Sequence, residues 1–221
     1  GEAGDVGCTR PFPHMFRCIW GDVENFGNAG WTGDRAAMLR KSWRRLSLLG
    51  KEPQWAYIQG DFAMKHADGS YTFHGRSDEV LNVNGVLFGS GHIESAILRD
   101  RQSHRVSCVG QCVVVGYPDD VAGEVPLAWI SPADSSEPPD RRDILRLFRL
   151  VQDVVGVVPV KFIFVPSLPQ TFSGKFLRRL LADISKDRPS GDSSGLVNPD
   201  CVPGLIDAFA EWKAQDTCGA S

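Results

Sequence analysis

The order of strand-like and helix-like periods after residue 79 restricts the fold more than any other feature of this sequence. Residues 80–100, VLNVNGVLFGSGHIESAILRD, alternate briefly as in a strand and then follow a helical period from near Gly91. Two strand-like runs, a helix, a strand and a further helix come next, at 106–120, 124–134, 141–155, 158–167 and 176–184. This order of elements predicts a compact α+β domain.

Two of the predicted helices carry an apolar stripe that indicates their buried face. In the first helix, Ile93, Ile97 and Leu98 share one side. In the second helix, apolar residues recur at helical spacing, namely Ile144, Leu147, Phe148, Val151 and Val155. We expect both stripes to face the core.

The part of the chain before residue 79 is predicted to be rich in β-structure. Its first 50 residues are rich in Gly, Trp and Pro and lack a long amphipathic period, and GNAGWTGD within them is typical of turns. Two strands are predicted at 55–64 and 70–75, joined by a tight turn at Asp68-Gly69.

The change of period near residue 79 divides the chain into two parts. We expect a β-rich segment over 1–78 and a small α+β domain over 79–221. From about residue 186 the composition turns to Gly, Ser, Asp and Pro, which predicts a polar tail with a short apolar helix at 204–212. The opening GEAGDVGCTRPFPHM is typical of the middle of a strand-and-turn region, so we expect a piece of a longer protein.

The charge and the cysteine content exclude several classes of function. The net charge is −3, so nothing favours nucleic acid or an anionic membrane surface as a partner. No apolar run approaches the ~20 residues of a membrane span. Cys108 and Cys112 lie in one strand-like run and are expected to point to one side as buried thiols, not as metal ligands. These features predict a reducing, cytoplasmic location and no metal site.

Two short motifs match active-site patterns by their letters but not by their context. GDSSG at 191–195 has the spacing of a nucleophile elbow, yet it lies in a polar stretch instead of between an apolar strand and a helix. Ser193 is therefore predicted to lie in a linker. SGK at 173–175 resembles the end of a phosphate-binding loop, but Pro169 replaces its first glycine and Phe176 its magnesium-binding hydroxyl residue. A Walker loop is excluded.

Separated residues form a pattern that no single one of them would establish. They are Asp61 in QGDF, Arg76 and Asp78 in HGRSDE, Gly85 in NVNGV, and Lys175 in PQTFSGKFLRRLLAD. In this order they resemble the carboxyl-terminal third of the adenylate-forming enzymes, specifically the acetyl- and acetoacetyl-CoA synthetase branch of the acyl-CoA synthetases. CTRPFPHM followed by WGD, the run GRSDEVLNVNGVLFGSGHIE and the tail GLVNPDCVPGL extend the resemblance over nearly the whole chain.

The resemblance implies a small carboxylic acid, ATP with magnesium, and coenzyme A as ligands. Such enzymes join the acid to ATP, giving an acyl-adenylate and pyrophosphate, and then transfer the acyl group to the thiol of coenzyme A. Asp61 would accept hydrogen bonds from both ribose hydroxyls of the nucleotide. Arg76 would donate to the same sugar and to the adenylate. Without the resemblance, both residues are more typical of exposed charges at the end of a hairpin.

The same resemblance assigns roles to the other three residues. Asp78 would be the hinge between the large domain, which ends there, and the mobile lid domain that follows. Gly85 would lie along the path of the pantetheine arm, its alternative being a simple turn glycine. Lys175 would reach the carboxylate oxygen and the α-phosphate during adenylation, from a loop that Ser173-Gly174 keep mobile. The alternative for Lys175 is a solvated lysine ahead of a basic helix.

Departures from the family pattern leave the acyl acceptor open. Where the family has an arginine in a G-[HV]-R run, this chain has Leu87, and PQTFSGK replaces the more usual PRTRSGK. The lost arginine mildly favours an alternative in which the acyl group is loaded onto the phosphopantetheine arm of a carrier protein. The phosphate-binding loop and the acyl pocket of the family are not in this sequence. Their absence leaves a non-catalytic remnant that binds nucleotide or a partner protein as a further alternative.

Overall fold

The computed structural model describes residues 2–10, 12–16, 39–40, 42–47, 52–100, 108–133, 139–156, 159–189 and 193–218. The chain divides into two compact units, Gly1–Asp78 and Glu79–Ser221. The GNAGWTGD turn, the WGD motif, the first two residues of GDSSG and the side chain of Val155 lie outside the described residues. Among the described residues, no helix combines the length and the apolar character needed to cross a membrane.

The first unit contains an antiparallel sheet built around one long strand. Its described strands are β1 (Glu2–Cys8), β2 (Trp43–Leu46), β3 (Gln54–Lys65) and β4 (Tyr71–Arg76). β3 pairs with β1 along one edge, and with β2 and β4 along the other. The long strand therefore fixes the positions of the other three.

β3 and β4 form the hairpin that the sequence predicts, and this prediction is confirmed. The backbone N–H and the hydroxyl of Ser70 donate to Asp68 Oδ1 at 2.9 and 2.7 Å. Both bonds lower the pKa of the Asp68 carboxyl below its usual value, and the bond from the hydroxyl has the larger effect. Gly69 has a φ of +84° and donates its N–H to the His66 carbonyl at 3.0 Å. The turn fixes the register of the two strands.

The second unit begins with a hairpin where the sequence analysis predicted a single strand. β5 (Val80–Val83) and β6 (Val86–Gly89) pair antiparallel across the turn Asn84-Gly85. The two turn residues have φ values of 52° and 80°, and a type I′ turn requires a positive φ at both. The single-strand prediction is wrong because Asn-Gly within an alternating run is a strong signal for this turn.

A three-stranded sheet forms the centre of the second unit. β7 (Gln111–Asp119) pairs antiparallel with β8 (Gly123–Ser131), and β9 (Lys161–Phe164) pairs parallel with β8. Most residues of these strands are apolar and buried, as expected of a sheet whose two faces are both covered by helices.

Helices cover both faces of this sheet. The described helices are α1 (Ser90–Leu98), α2 (Arg141–Val155), α3 (Arg178–Ser185) and α4 (Cys201–Cys218). α1 and α2 share a core with Val114 and Ile130, while α3 and α4 share a second core with Val113 and Trp129. Because successive residues of a strand point to opposite faces, the two cores lie on opposite sides of the sheet. The predicted α+β class is confirmed.

Two helix predictions differ from the structure in detail. Ile144, which we expected to face the core, is 40% exposed, because the buried stripe of α2 is centred on Leu147 and Val151. α4 is longer than the helix predicted at 204–212. Its earlier start is compatible with Pro203, which lies in the first turn, where a missing N–H breaks no helical hydrogen bond. The stretch predicted to be a polar tail therefore contains a helix that packs on the second core.

Of the two cysteines predicted to be buried thiols, Cys112 is buried and Cys108 is half-buried, and only Cys112 lies in a strand. Cys112 is buried within β7, and Cys108 lies in a bend before that strand, so the prediction of one strand for both is wrong. Burial raises the pKa of Cys112 well above its usual value and is the main reason why the pKa of Cys108 rises to about 11. Among the described residues, no group of three or more His, Cys, Asp or Glu could hold a metal ion.

Candidate functional site

The hairpin of the first unit places Asp61 and Arg76 directly opposite each other. They are partners in the register of β3 and β4, and Arg76 Nη1 lies 3.6 Å from Asp61 Oδ1. The same nitrogen donates to the Gln59 carbonyl at 3.0 Å. The guanidinium is therefore fixed mainly by a backbone carbonyl, and its carboxylate neighbour is beyond hydrogen-bond distance.

A glycine that the sequence analysis did not single out makes this arrangement possible. Gly60 has a φ of +81°, and a Cβ added there would lie 2.8 Å from Arg76 Nη2. The guanidinium thus lies against the backbone of β3 at a point where any side chain would displace it. The signal in the sequence is the glycine that precedes Asp61 in QGDF.

Asp78 is the second carboxylate beside Arg76. Its Oδ1 lies 3.6 Å from Arg76 Nε, and its side chain is 63% exposed. The side chains of Asp61 and Arg76 are 39% and 46% exposed. At this distance the arginine is not hydrogen-bonded to either carboxylate. Its N–H donors and the carboxylate oxygens can therefore bind a polar ligand such as a sugar diol or a phosphate ester. The short 3-10 helix Ser77–Glu79 contains Asp78, the last residue of the first unit.

The backbone conformation of the turn favours glycine at position 85, although there is space for a side chain there. Its φ is +80°, and no heavy atom lies within 4 Å of a Cβ added there. The Asn84 N–H donates to the Ala122 carbonyl at 3.1 Å, which ties this turn to the β7–β8 connection. Leu87, the residue that replaces the expected arginine, is 47% exposed on β6.

Lys175 lies at the end of a tight, hydrogen-bonded loop. The Thr171 N–H donates to the Lys175 carbonyl at 2.8 Å, and the Lys175 N–H donates to Thr171 Oγ1 at 3.2 Å. Gly174 has a φ of +78° and donates to the Thr171 carbonyl at 2.8 Å. We expected a loop kept mobile by Ser173-Gly174; the structure instead closes its backbone by these bonds.

The backbone of Lys175 is held by hydrogen bonds, whereas its side chain extends into solvent. Lys175 is exposed, and within the described residues its ammonium has no hydrogen-bond or ion-pair partner. Phe172, at the tip of the same loop, is 77% exposed. The fold therefore presents a positive charge on a four-carbon stem from a defined backbone position.

The helix after Lys175 begins with a half-buried arginine that binds a buried carboxylate. Arg178 binds Glu94 through both terminal nitrogens, with Nη2 2.7 Å from Oε2, and its Nε lies 3.5 Å from Glu79 Oε1. Glu94 is buried and also accepts the Val114 N–H at 2.7 Å. The hydrogen bond to Glu94 raises the pKa of the Arg178 guanidinium above its usual value. This pair fixes the start of α3, directly after the loop of Lys175.

Comparisons with known proteins identify a domain family and relatives of this chain. Residues 93–175 match the family model of the AMP-binding enzyme C-terminal domain. The chain is 31% identical over 207 residues to the acetyl-coenzyme A synthetase of Methanothrix soehngenii, covering 93% of this chain and 28% of that protein. It is 34% identical over 221 residues to the acetyl-coenzyme A synthetase of Burkholderia lata, covering 96% of this chain and 29% of that protein.

A solved structure gives the corresponding result for the fold. The acetoacetyl-CoA synthetase from Streptomyces lividans superposes with a TM-score of 0.67 at 20% identity, over 95% of this chain and 28% of that one. The second unit thus contains an AMP-binding enzyme C-terminal domain. The chain as a whole is similar to the carboxyl-terminal part of acetyl-CoA synthetases. It spans about 28% of the length of these relatives.

Proposed function

We propose that this chain is the carboxyl-terminal portion of an ATP-dependent synthetase that activates a short carboxylic acid, of the size of acetate or acetoacetate. In the first step a carboxylate oxygen attacks the α-phosphorus of ATP, the bond to the β-phosphate breaks, and pyrophosphate leaves. In the second step a thiolate attacks the acyl carbon, and AMP leaves. The observation that carries this proposal is the exposed Lys175 ammonium on its closed loop, at the end of the domain match.

The nucleotide is assigned to the pair on the first hairpin. Asp61 accepts the two ribose hydroxyls, because a carboxylate has two oxygens with which it can accept both at once. Arg76 donates to the same sugar and to the phosphate of the adenylate. Support for this assignment comes from the 3.6 Å separation of the two side chains and from their exposure, which leave both groups available to a ligand.

Lys175 is assigned to the adenylation step alone. Two anions approach each other in that step, and a cation directed at the developing charge lowers the barrier. Magnesium accompanies ATP in this proposal, but the described residues supply no cluster of acidic or histidine ligands for it. We assign the reaction to the cytoplasm.

Asp78 is assigned to the hinge between the two units. A residue at this position can absorb the change in backbone dihedrals when the lid turns between the two half-reactions. In the full-length synthetase, Asp78→Pro fixes φ near −65° and should preserve one half-reaction while abolishing the other. Equal loss of both, in a folded protein, would place the hinge elsewhere.

Gly85 is assigned to the path of the thiol arm, and Leu87 to the choice of acceptor. The missing arginine at position 87 supports a second candidate, an adenylating enzyme that loads a carrier-protein phosphopantetheine arm instead of free coenzyme A. Restoring the cation with Leu87→Arg should lower the KM for free coenzyme A and leave adenylation unchanged. An unchanged KM would show that position 87 lies away from the nucleotide part of coenzyme A.

The proposal is tested by the exchange of pyrophosphate into ATP. The full-length synthetase should catalyse this exchange with a short acid, whereas the isolated 221-residue chain should not, because it lacks the phosphate-binding loop. Exchange by the isolated chain would overturn the assignment to a portion of the enzyme. No exchange from the full-length protein with any acid would favour the alternative of a non-catalytic remnant that binds nucleotide or a partner protein.

A further inference from the structure

A short segment before α4 runs along the base of the Lys175 loop. The Val197 N–H donates to the Gln170 carbonyl at 2.8 Å, and Leu196 and Thr171 form an antiparallel bridge. Leu196 is buried in the same core as α3 and α4. The segment therefore connects the packed interior of the unit to the backbone of the loop.

Asn198 makes the most specific contacts in this segment. Its Oδ1 accepts the Gln170 N–H at 2.9 Å, and its Nδ2 donates to the Leu168 carbonyl at 2.9 Å. These two backbone groups lie on either side of Pro169, which has no N–H of its own. One carboxamide thus satisfies both flanking groups at the point where the loop leaves the strand segment, and no residue that only donates or only accepts could do so.

The loop is closed immediately beyond this point. The Leu177 N–H donates to the Pro169 carbonyl at 2.9 Å, and Gln170 pairs with Phe176. A shift at Gln170 is therefore transmitted to both ends of the loop. The family match ends at residue 175, so the segment Leu196–Asn198 lies outside it.

We propose that Asn198 is a positioning residue for Lys175, holding the base of the loop so that the ammonium reaches the reacting phosphate. This inference rests on the proposed function, because it needs Lys175 to act in adenylation. It also makes a structural claim, that the loop depends on the carboxamide, which can be measured without any activity.

The structural claim is tested by amide hydrogen exchange on the 221-residue chain. Asn198→Ala should speed exchange at Gln170, Thr171 and Lys175 and leave the amides of β8 protected, since local opening exposes only the bonds that are lost. Gln152→Ala, which changes an amide side chain on α2, is the matched control and should leave the loop unchanged. Unaltered exchange at the loop in Asn198→Ala would overturn the proposal.

The functional claim is tested in the full-length synthetase. Asn198→Ala should slow ATP–pyrophosphate exchange by about tenfold to 100-fold, the range expected when a reacting group is misplaced by an ångström or less. Reaction of supplied acyl-adenylate with the thiol should change little. Asn198→Asp keeps the acceptor for the Gln170 N–H and loses the donor to Leu168, so its rate should lie between those of the parent and the alanine variant.

A double variant separates a positioning role from a merely structural one. If Asn198 acts through Lys175, adding Asn198→Ala to Lys175→Ala should slow adenylation no further, since coupled residues are not additive. Additive losses, or an equal loss in both half-reactions, would contradict the proposal. If the parent protein shows no ATP–pyrophosphate exchange with any acid, the proposed function fails. The amide hydrogen exchange result alone then decides whether Asn198 stabilises the loop.

Discussion

Two arginines of this chain meet carboxylates in opposite ways. Arg178, whose side chain is 24% exposed, binds the buried Glu94 through both terminal nitrogens. Arg76 lies 3.6 Å from both Asp61 and Asp78, with 46% of its side chain exposed. In the first arrangement, the guanidinium donors bind a carboxylate of the same chain. In the second, the guanidinium donors and the carboxylate acceptors remain exposed to solvent. We infer that the first stabilises the fold and that the second is available for a ligand.

The energetics of ion pairs support this division. Removing one partner of a buried pair leaves an uncompensated charge in the interior, whereas an exposed pair contributes little because water solvates both groups. The comparison therefore predicts that variants of the buried pair change stability and that variants of the exposed pair change binding.

The largest expected effect is on the buried pair. Arg178→Ala should lower the free energy of unfolding of the second unit by about 3–5 kcal/mol, since it strands the Glu94 carboxylate. The measurement is urea unfolding of the 221-residue chain followed by circular dichroism. The neighbouring Arg179 is 87% exposed, and Arg179→Ala is the matched control, with an expected change below about 0.5 kcal/mol. Equal losses of unfolding free energy in the two variants would contradict a special contribution of the Arg178–Glu94 pair to stability.

The next effect is on the exposed pair. Asp61→Ala in the full-length synthetase should weaken the binding of AMP by roughly tenfold to 100-fold, the range for hydrogen bonds to a charged group. Its unfolding free energy should change by less than about 1 kcal/mol. Calorimetric titration with AMP gives the affinity, and Glu52→Ala, an exposed carboxylate outside the hairpin, is the control. A large loss of stability with unchanged affinity would reverse the assignment.

The smallest expected effects are those of alanine substitutions at Gly60 and Gly85, which both have a positive φ. Gly85→Ala meets no neighbouring atom, so it should cost only the conformational strain of about 1 kcal/mol. Gly60→Ala also pushes a methyl group against Arg76 and should weaken AMP binding as well. If Gly85 lies along the thiol arm, its variant should slow thioester formation and leave pyrophosphate exchange unchanged. A change in stability alone would identify it as a turn glycine only.

Local patterns in the sequence predicted the elements, but not the contacts between distant residues. The alternation around Asp68-Gly69 predicted the β3–β4 hairpin, and that hairpin brings Asp61 and Arg76 together. The pairing of Glu94 with Arg178 joins residues 84 positions apart, and no short-range period encodes it. Asn198 likewise acts on the loop from a separate segment of the chain. The exposure of Ile144 depends on where α2 meets the sheet, which helical spacing cannot specify.

The separation of the two half-reactions in Lys175→Ala tests the central claim most directly. In the full-length synthetase, adenylation measured by ATP–pyrophosphate exchange should fall by roughly 10²–10³-fold, the loss expected for one preorganised electrostatic contact. Thioester formation from supplied acyl-adenylate should change by less than about tenfold. Lys175→Arg should restore adenylation poorly, because a planar guanidinium does not replace a compact ammonium.

Arg179→Ala removes an exposed cation from the helix that follows Lys175 and serves as the control for this measurement. The account predicts parental rates for this variant and the selective loss for Lys175→Ala. A parental rate of adenylation in Lys175→Ala would contradict the account and would make Lys175 a solvated charge ahead of a basic helix.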